Sequence, residues 1–427
     1  MKADLVISNI GQLVTCASGG KAKRGAQMHD IGEIKNAAVA ISAGKILAAG
    51  PGDEIANSYD ATDTHDAGRR AVCPGFVDPH THIVFAGNRL DEFEQKIKGA
   101  DYLEILASGG GIISTVRNTR GASVRELVSQ TRPRLDKMLS TGTTTCEIKT
   151  GYGLDLETEM KMLEAIAESD RTHPVDVVPT FLGAHAVPPE FRENADAYVA
   201  LICDHMLPQA WRWFTGSLFF GRVPFFCDVF CEKGAFSLQQ SRRVLETAKT
   251  LGFSLKAHVD EFTNLGGSTM AIQLGSQSID HLDAISDEEI RSLAGSGTVA
   301  IVTPTVNFNF GSSEFANARK LVDAGCALAL STDYNPGSAP CPSQPMAMAI
   351  ACRYQKLLPA EAMNAATVNA AHSIGLGATH GSIEEGKWAD LLILDTDDYR
   401  QLAYEFGGNL VSRVIKAGRD VTVPRER

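Results

Sequence analysis

Residues 71–89 read AVCPGFVDPHTHIVFAGNR, and the parsing of this stretch decides the fold. The chain before it is β-patterned. DLVISNI (4–10) and AAVAISAGKILAAG (37–50) alternate or run β-branched, punctuated by Gly and Asp. After it, short apolar runs alternate with long helical patterns such as SVRELVSQTRPRLDKMLSTG (123–142) and LETEMKMLEAIAES (156–169). Counting the runs predicts eight strands, at 72–80, 143–149, 175–184, 226–231, 253–258, 276–281, 298–303 and 327–332. Strand and helix in strict alternation predict an α/β fold, a (β/α)8 TIM-type barrel over residues 74–381. The additional helical pattern after the first strand, including DYLEILASGG (101–110), reads as an insertion on the active face. Beyond NAATVNAAHSIG (364–375) the pattern turns β again. Residues 382–427 are therefore expected to join 1–73 in a small composite β domain.

The composition narrows the partners. With 427 residues, 44% apolar and 21% charged, the chain can bury a large core. A net charge of −11 without any Lys/Arg block argues against a nucleic-acid surface and leaves a small-molecule substrate as the expected partner. No window holds the ~20 apolar residues of a membrane helix. The nearest approach, WRWFTGSLFFGRVPFF (211–226), is broken by Arg212, Gly216, Gly221, Arg222 and Pro224. It is expected to be a dimer contact, a lid or a core-packing insertion. Nine scattered cysteines without a CxxC pair read as reduced thiols of a cytoplasmic protein. SGGGI (108–112) lacks the GxGxxG spacing of a dinucleotide site and is expected to be a turn or active-site loop.

A barrel enzyme carries its chemistry at the C-terminal strand ends. The first strand ends in His80-Thr81-His82, and residues at i and i+2 face the same way. The fifth ends in His258, followed by Asp260 and Glu261. The sixth ends in Asp280-His281. The eighth ends in Asp333, followed by Asn335, Gly337 and Ser338. Taken singly, each is an ordinary packed histidine or helix-capping aspartate. Polar groups that end four apolar strands incur a burial cost unless they converge on something. Three histidines and an aspartate suit a divalent transition metal with a position open for water. Such a water is a nucleophile near neutral pH. Glu261 is placed to take its proton, His281 to polarise or bond a developing oxyanion, and Asp333 to ligate and relay a proton.

These residues, with GSIEEGKWADLLILD (381–395), resemble the amidohydrolase superfamily. PGFVDPHTHIVFAGNR, EIKTGYGL, FLGAHAVPPE, DVFCE, HVDEF and LSTDYNPGS narrow the resemblance to the imidazolonepropionases, the ring-opening enzymes of histidine degradation. The resemblance spans nearly the whole chain. It implies hydrolysis of 4-imidazolone-5-propanoate to N-formimidoyl-glutamate and one divalent metal ion, zinc or iron, held by His80, His82, His258 and Asp333. It also implies a substrate site lined by Arg89, Tyr152, His185, Glu261, Asn335, Gly337 and Ser338, and a homodimer. The substrate's propionate makes Arg89 the natural anchor, because a guanidinium matches a carboxylate bidentately. His185 is expected to bond the ring carbonyl, and Lys149 to be a charged residue behind the ligands. Val259, TPTVNFNFG (303–311) and residues 211–226 depart from the expected pattern. Another cyclic amidase or a deaminase acting on a small carboxylate-bearing heterocycle is the alternative, and a non-catalytic barrel the third reading.

Overall fold

The computed structural model describes residues 1–99 and 110–423. Eight parallel strand segments follow one another around a barrel: Phe76–Asp78, Thr143–Lys149, Asp176–Ala184, Phe226–Cys231, Ser254–Leu255 continuing as His258–Val259, Ser278–His281, Val299–Val302 and Leu328–Leu330. The last meets the first through a parallel bridge between Thr81 and Tyr334, where the His82 N–H donates to the Tyr334 carbonyl at 3.0 Å. Helices cover the outside, so the strands are buried on both faces and read as unbroken apolar runs. Thr143–Lys149 is buried at every position. Serine caps with capping boxes start the helices Val124–Ser140, Leu238–Leu251 and Asp287–Ala294.

The expected strand 72–80 is two strands in two different sheets. Ala71–Pro74 pairs antiparallel with Leu391–Leu394 and parallel with Gln12 and Leu13. Phe76–Asp78 pairs with Thr143–Cys146 in the barrel. The crossing falls at Pro74-Gly75. Proline has no N–H to continue a ladder. Gly75 lies so close to Thr144 that an added Cβ would stand 2.2 Å from its Oγ1. An apolar run shows that a segment is buried, not which sheet it joins.

The second sheet has eight strands drawn from both ends of the chain: Lys2–Val14, Glu33–Ser42, Lys45–Pro51, Asp60–Asp66, Ala71–Pro74, Leu391–Leu394, Val411–Lys416 and Arg419–Asp420. Within SEFANARKLVDAG (313–325) a helix spans Ala318–Asp323, started where the Asn317 side chain accepts from the Lys320 N–H. DYLEILASGG lies outside the described residues except for its last glycine. Gly111 adopts φ 74° and begins the helix Ile112–Gly121.

Residues 211–226 pack against the outer wall. The helix Leu207–Thr215 brings Trp211 and Phe214 against Phe225 and Phe253, with ring centroids 4.7–5.5 Å apart. The Trp213 indole N–H donates to Glu164. Leu218 and Phe220 stay exposed. Among the described residues no helix is long and apolar enough to cross a membrane.

Candidate metal-dependent active site

His80 and His82 project from the extended backbone just past the first barrel strand, and strand alternation turns both rings inward. His258 begins the second segment of the fifth strand, and Asp333 follows the eighth with φ 46°. All four are at most 3% exposed. The His82 Nε2 lies 3.2 Å from His80 Nε2 and 3.4 Å from His258 Nε2. Asp333 Oδ1 lies 3.5 Å from both His80 Nε2 and His82 Nε2 and has no hydrogen-bond partner.

The outer ring nitrogens explain this convergence. His80 Nδ1 is 2.6 Å from Asp280 Oδ2, and His258 Nδ1 is 3.0 Å from Asp228 Oδ2. At His80 the hydrogen-bonded carboxylate holds the proton on Nδ1 and turns the Nε2 lone pair inward. Burial first, and neighbouring positive charge second, hold the imidazoles of His80 and His82 well below the usual range, so they are neutral. Lone pairs facing one another at such distances repel without a cation between them. Bonds of about 2.0–2.2 Å place tetrahedral ligand atoms roughly 3.4 Å apart, which matches the observed spacings. The donor set and its orphaned Asp333 oxygen fit a divalent metal.

Behind the ligands Lys149 is fully buried, 2.7 Å from Glu147 Oε1 and 2.8 Å from Asp228 Oδ2. Burial alone would lower its pKa; Asp228, Glu147 and Asp280 outweigh that and hold it raised. Asp228 shows the reciprocal balance. Burial pushes its carboxyl up, and His258 with Lys149 brings it well below the carboxylate range. Lys149 is thus a charge that keeps Asp228 ionised. Asp228 and Glu147 were missed from sequence, although a charge within an apolar strand was the available signal.

His281 takes φ 83° at the end of the sixth strand, and its Nδ1 is 3.1 Å from Thr303 Oγ1. Its Nε2 has no hydrogen-bond partner and faces Glu261 Oε2 at 3.9 Å. Burial, then Asp333, raises the Glu261 carboxyl well above its ordinary value. The divergent TPTVNFNFG segment therefore takes part in the site. Thr303 holds His281, Asn307 donates to Asp283 at 2.9 Å, and Asn309 donates to the Ser338 carbonyl at 2.8 Å.

Tyr152 and His185 flank His82. The His185 ring stacks on it at 5.0 Å, and Tyr152 lies 5.9 Å away. His185 Nδ1 is 3.0 Å from the Gly151 carbonyl. A carbonyl only accepts, so Nδ1 carries the proton. Burial, then His258, lowers the His185 pKa to about 3. The neutral ring therefore presents a lone pair at Nε2, suited to a ligand N–H rather than to the ring carbonyl expected from sequence.

Asn335 organises the turn after Asp333. Its amide donates to the Asp333 carbonyl and to Ser338 Oγ at 2.7 Å each, and its oxygen accepts from the N–H groups of Gly337 and Ser338 at 2.8 Å each. Arg89, at the N-terminal cap of the helix Leu90–Ile97, lies against Gly337. An added Cβ there would stand 2.0 Å from Arg89 Nη1. Arg89 is paired with Glu92, and its side chain is only 13% exposed.

A parallel barrel that gathers imidazoles and a carboxylate at its C-terminal strand ends defines a metal-dependent hydrolase of the amidohydrolase type. The family model described as "Amidohydrolase family" matches residues 232–421. Among solved structures, a zinc-bound adenosine deaminase from Xanthomonas campestris superposes with a TM-score of 0.73 at 20% identity, covering 98% of this chain and 93% of that one. E. coli guanine deaminase gives 0.70 at 16% identity, covering 97% and 99%. At these identities the likeness is one of fold. Curated relatives are far more similar in sequence. The imidazolonepropionase of Chloroflexus aggregans is 54% identical, with 98% of each chain covered. That of Herpetosiphon aurantiacus is 53% identical, covering 98% of this chain and 97% of that one. The chain belongs to the imidazolonepropionase family of amidohydrolases.

Proposed function

We propose that this chain hydrolyses the cyclic amide of 4-imidazolone-5-propanoate to N-formimidoyl-L-glutamate, with His80, His82, His258 and Asp333 holding one divalent ion, zinc or iron. The observation that carries the proposal is that the ligand atoms of His80, His82 and His258 lie within 4.8 Å of one another, as do those of His80, His281 and Asp333, beside a largely buried arginine. The bound ion supplies Lewis acidity, which activates water near neutral pH.

The chain's own residues do the rest. Arg89 binds the propionate, with Tyr152 nearby. The His185 lone pair accepts a ring N–H and orients the ring. The His281 Nε2, unpaired within the protein, faces the developing oxyanion. The water oxygen bonds to the carbonyl carbon, and Glu261 takes the water proton. As the C–N bond breaks, Glu261 returns that proton to the leaving nitrogen, and Asp333 is placed to relay. A carboxyl raised by burial is suited to both transfers. Asn335, Gly337 and Ser338 shape the wall against Arg89.

The division into a composite β domain (1–73 with 382–427) and a barrel (74–381) belongs to this reading, and the sheet crossing at Pro74-Gly75 supports it. Nine unpaired cysteines support a reducing, cytoplasmic setting.

Metal-loaded protein is expected to abolish the ultraviolet absorbance of the imidazolone faster than its spontaneous decay. No acceleration would rule the reaction out. Glu261→Gln should keep its metal and lose turnover. Turnover of another small carboxylate-bearing heterocycle, with none of 4-imidazolone-5-propanoate, would favour the alternative cyclic amidase or deaminase.

A further inference from the structure

Arg89 has five N–H donors arranged along two bidentate edges. One edge, Nε with Nη2, is already taken. Nε lies 2.8 Å and Nη2 2.7 Å from the same oxygen, Glu92 Oε2. The end-on edge, Nη1 with the second Nη2 hydrogen, remains. Nη1 is the atom that lies against Gly337, four residues after Asp333. The other Glu92 oxygen, Oε1, accepts the Gly111 N–H at 2.9 Å. Glu92 is 7% exposed, so its charge is held by these partners rather than by bulk water. Both of its oxygens are used inside the protein, and among the described residues one edge of the guanidinium has no hydrogen-bond partner and is left for a ligand.

We propose that Glu92 is a positioning residue for the carboxylate anchor. It pins one edge of the Arg89 guanidinium so that the other faces the carboxylate of the substrate, and it ties that anchor to the start of the Ile112–Gly121 helix. The inference rests on the reading of Arg89 as the propionate-binding residue. Two effects of the Glu92 charge oppose each other. It offsets the guanidinium's pull on a second carboxylate, and it removes the freedom of a long side chain that binding would otherwise have to order. Orientation prevails here because a bidentate pair depends on the direction of both N–H groups.

The test uses the metal-loaded protein and 4-imidazolone-5-propanoate. Glu92→Ala should raise KM about tenfold while kcat falls far less, with metal content unchanged. Glu92→Gln keeps one acceptor in place and should give an intermediate KM; it also carries the test if the alanine variant does not fold. In an Arg89→Met background, Glu92→Ala should add nothing further, because Glu92 acts through Arg89. A KM that falls would make Glu92 a competitor for the guanidinium and overturn the inference. So would additive effects in the double variant, or a loss of kcat and metal at constant KM. If Arg89→Met raises KM and the Glu92 variants do not, the anchor stands and the positioning role fails. If Arg89→Met leaves KM unchanged, the anchor reading itself fails and takes this inference with it.

Discussion

At the scale of single residues the site depends on groups that do no chemistry. Gly337 is the clearest case. Its missing side chain is the space that Arg89 Nη1 occupies, since a Cβ would lie 2.0 Å from that atom. Gly337→Ala is therefore expected to displace the guanidinium and raise KM for the propionate substrate severalfold, leaving bound metal intact. Michaelis parameters and metal analysis check this, and an unchanged KM would show that the arginine relaxes freely. Thr303 is the counterpart on the other wall. From sequence it was only a departure from the expected strand-seven ending, but in the fold it holds His281 Nδ1 at 3.1 Å.

At the scale of elements, the candidate ligands sit at the ends of the first, fifth and eighth barrel strands, and neighbouring strands bring up the groups that support them. Asp280 and His281 are neighbours on the sixth strand. The first reaches back to His80 Nδ1, and the second faces the open site. Such orienting carboxylates typically contribute 10–100-fold to metal affinity. Asp280→Asn is expected to weaken metal retention by about that range, measured as metal content during dialysis against a chelator. Retention equal to the parent protein would show that His80 is oriented by packing alone. The barrel strands after the first, and most helices, were legible because buried parallel strands and capped amphipathic helices leave strong periodic signals. The 72–80 run was not, because burial is the same in either sheet. The Trp211–Phe226 stretch was ambiguous for a related reason. Its aromatic rings report packing without naming what they pack against.

At the scale of the whole molecule, the barrel and the terminal sheet are joined by a charge cluster at the base of the third barrel strand. Lys416 Nζ lies 2.6 Å from both Asp176 Oδ2 and Asp390 Oδ2, and His380 Nε2 lies 3.0 Å from Asp176 Oδ2. Asp176, His380 and Asp390 have the spacing of metal ligands, but the lysine ammonium already neutralises them. Burial pushes the Asp176 carboxyl up, and His380 with Lys416 outweighs it, holding the pKa well below the usual carboxylate value. A depressed carboxylate pKa contributes stability that is fully present above the unfolded value of about 3.9 and is lost as pH falls from there through the lower folded-state value. Melting temperature should therefore drop on acidification below about pH 4, and Asp176→Asn should melt lower at neutral pH with a flatter acid limb. An unaltered acid profile in that variant would place the acid-sensitive group elsewhere.

The sequence by itself determined the architecture and marked His80, His82, His258, Asp333 and Arg89 as the candidate site residues. Those signals are local: a hydrophobic period, an HxH at a strand end, a charge where an apolar run stops. It did not determine which sheet receives residues 71–74, which carboxylate faces which histidine, or that His185 presents a lone pair. These are relations between residues far apart in the chain, 200 positions in the case of His80 with Asp280. Only closure of the barrel brings them within hydrogen-bond reach, and only there does a neighbouring carbonyl or carboxylate decide where a proton sits.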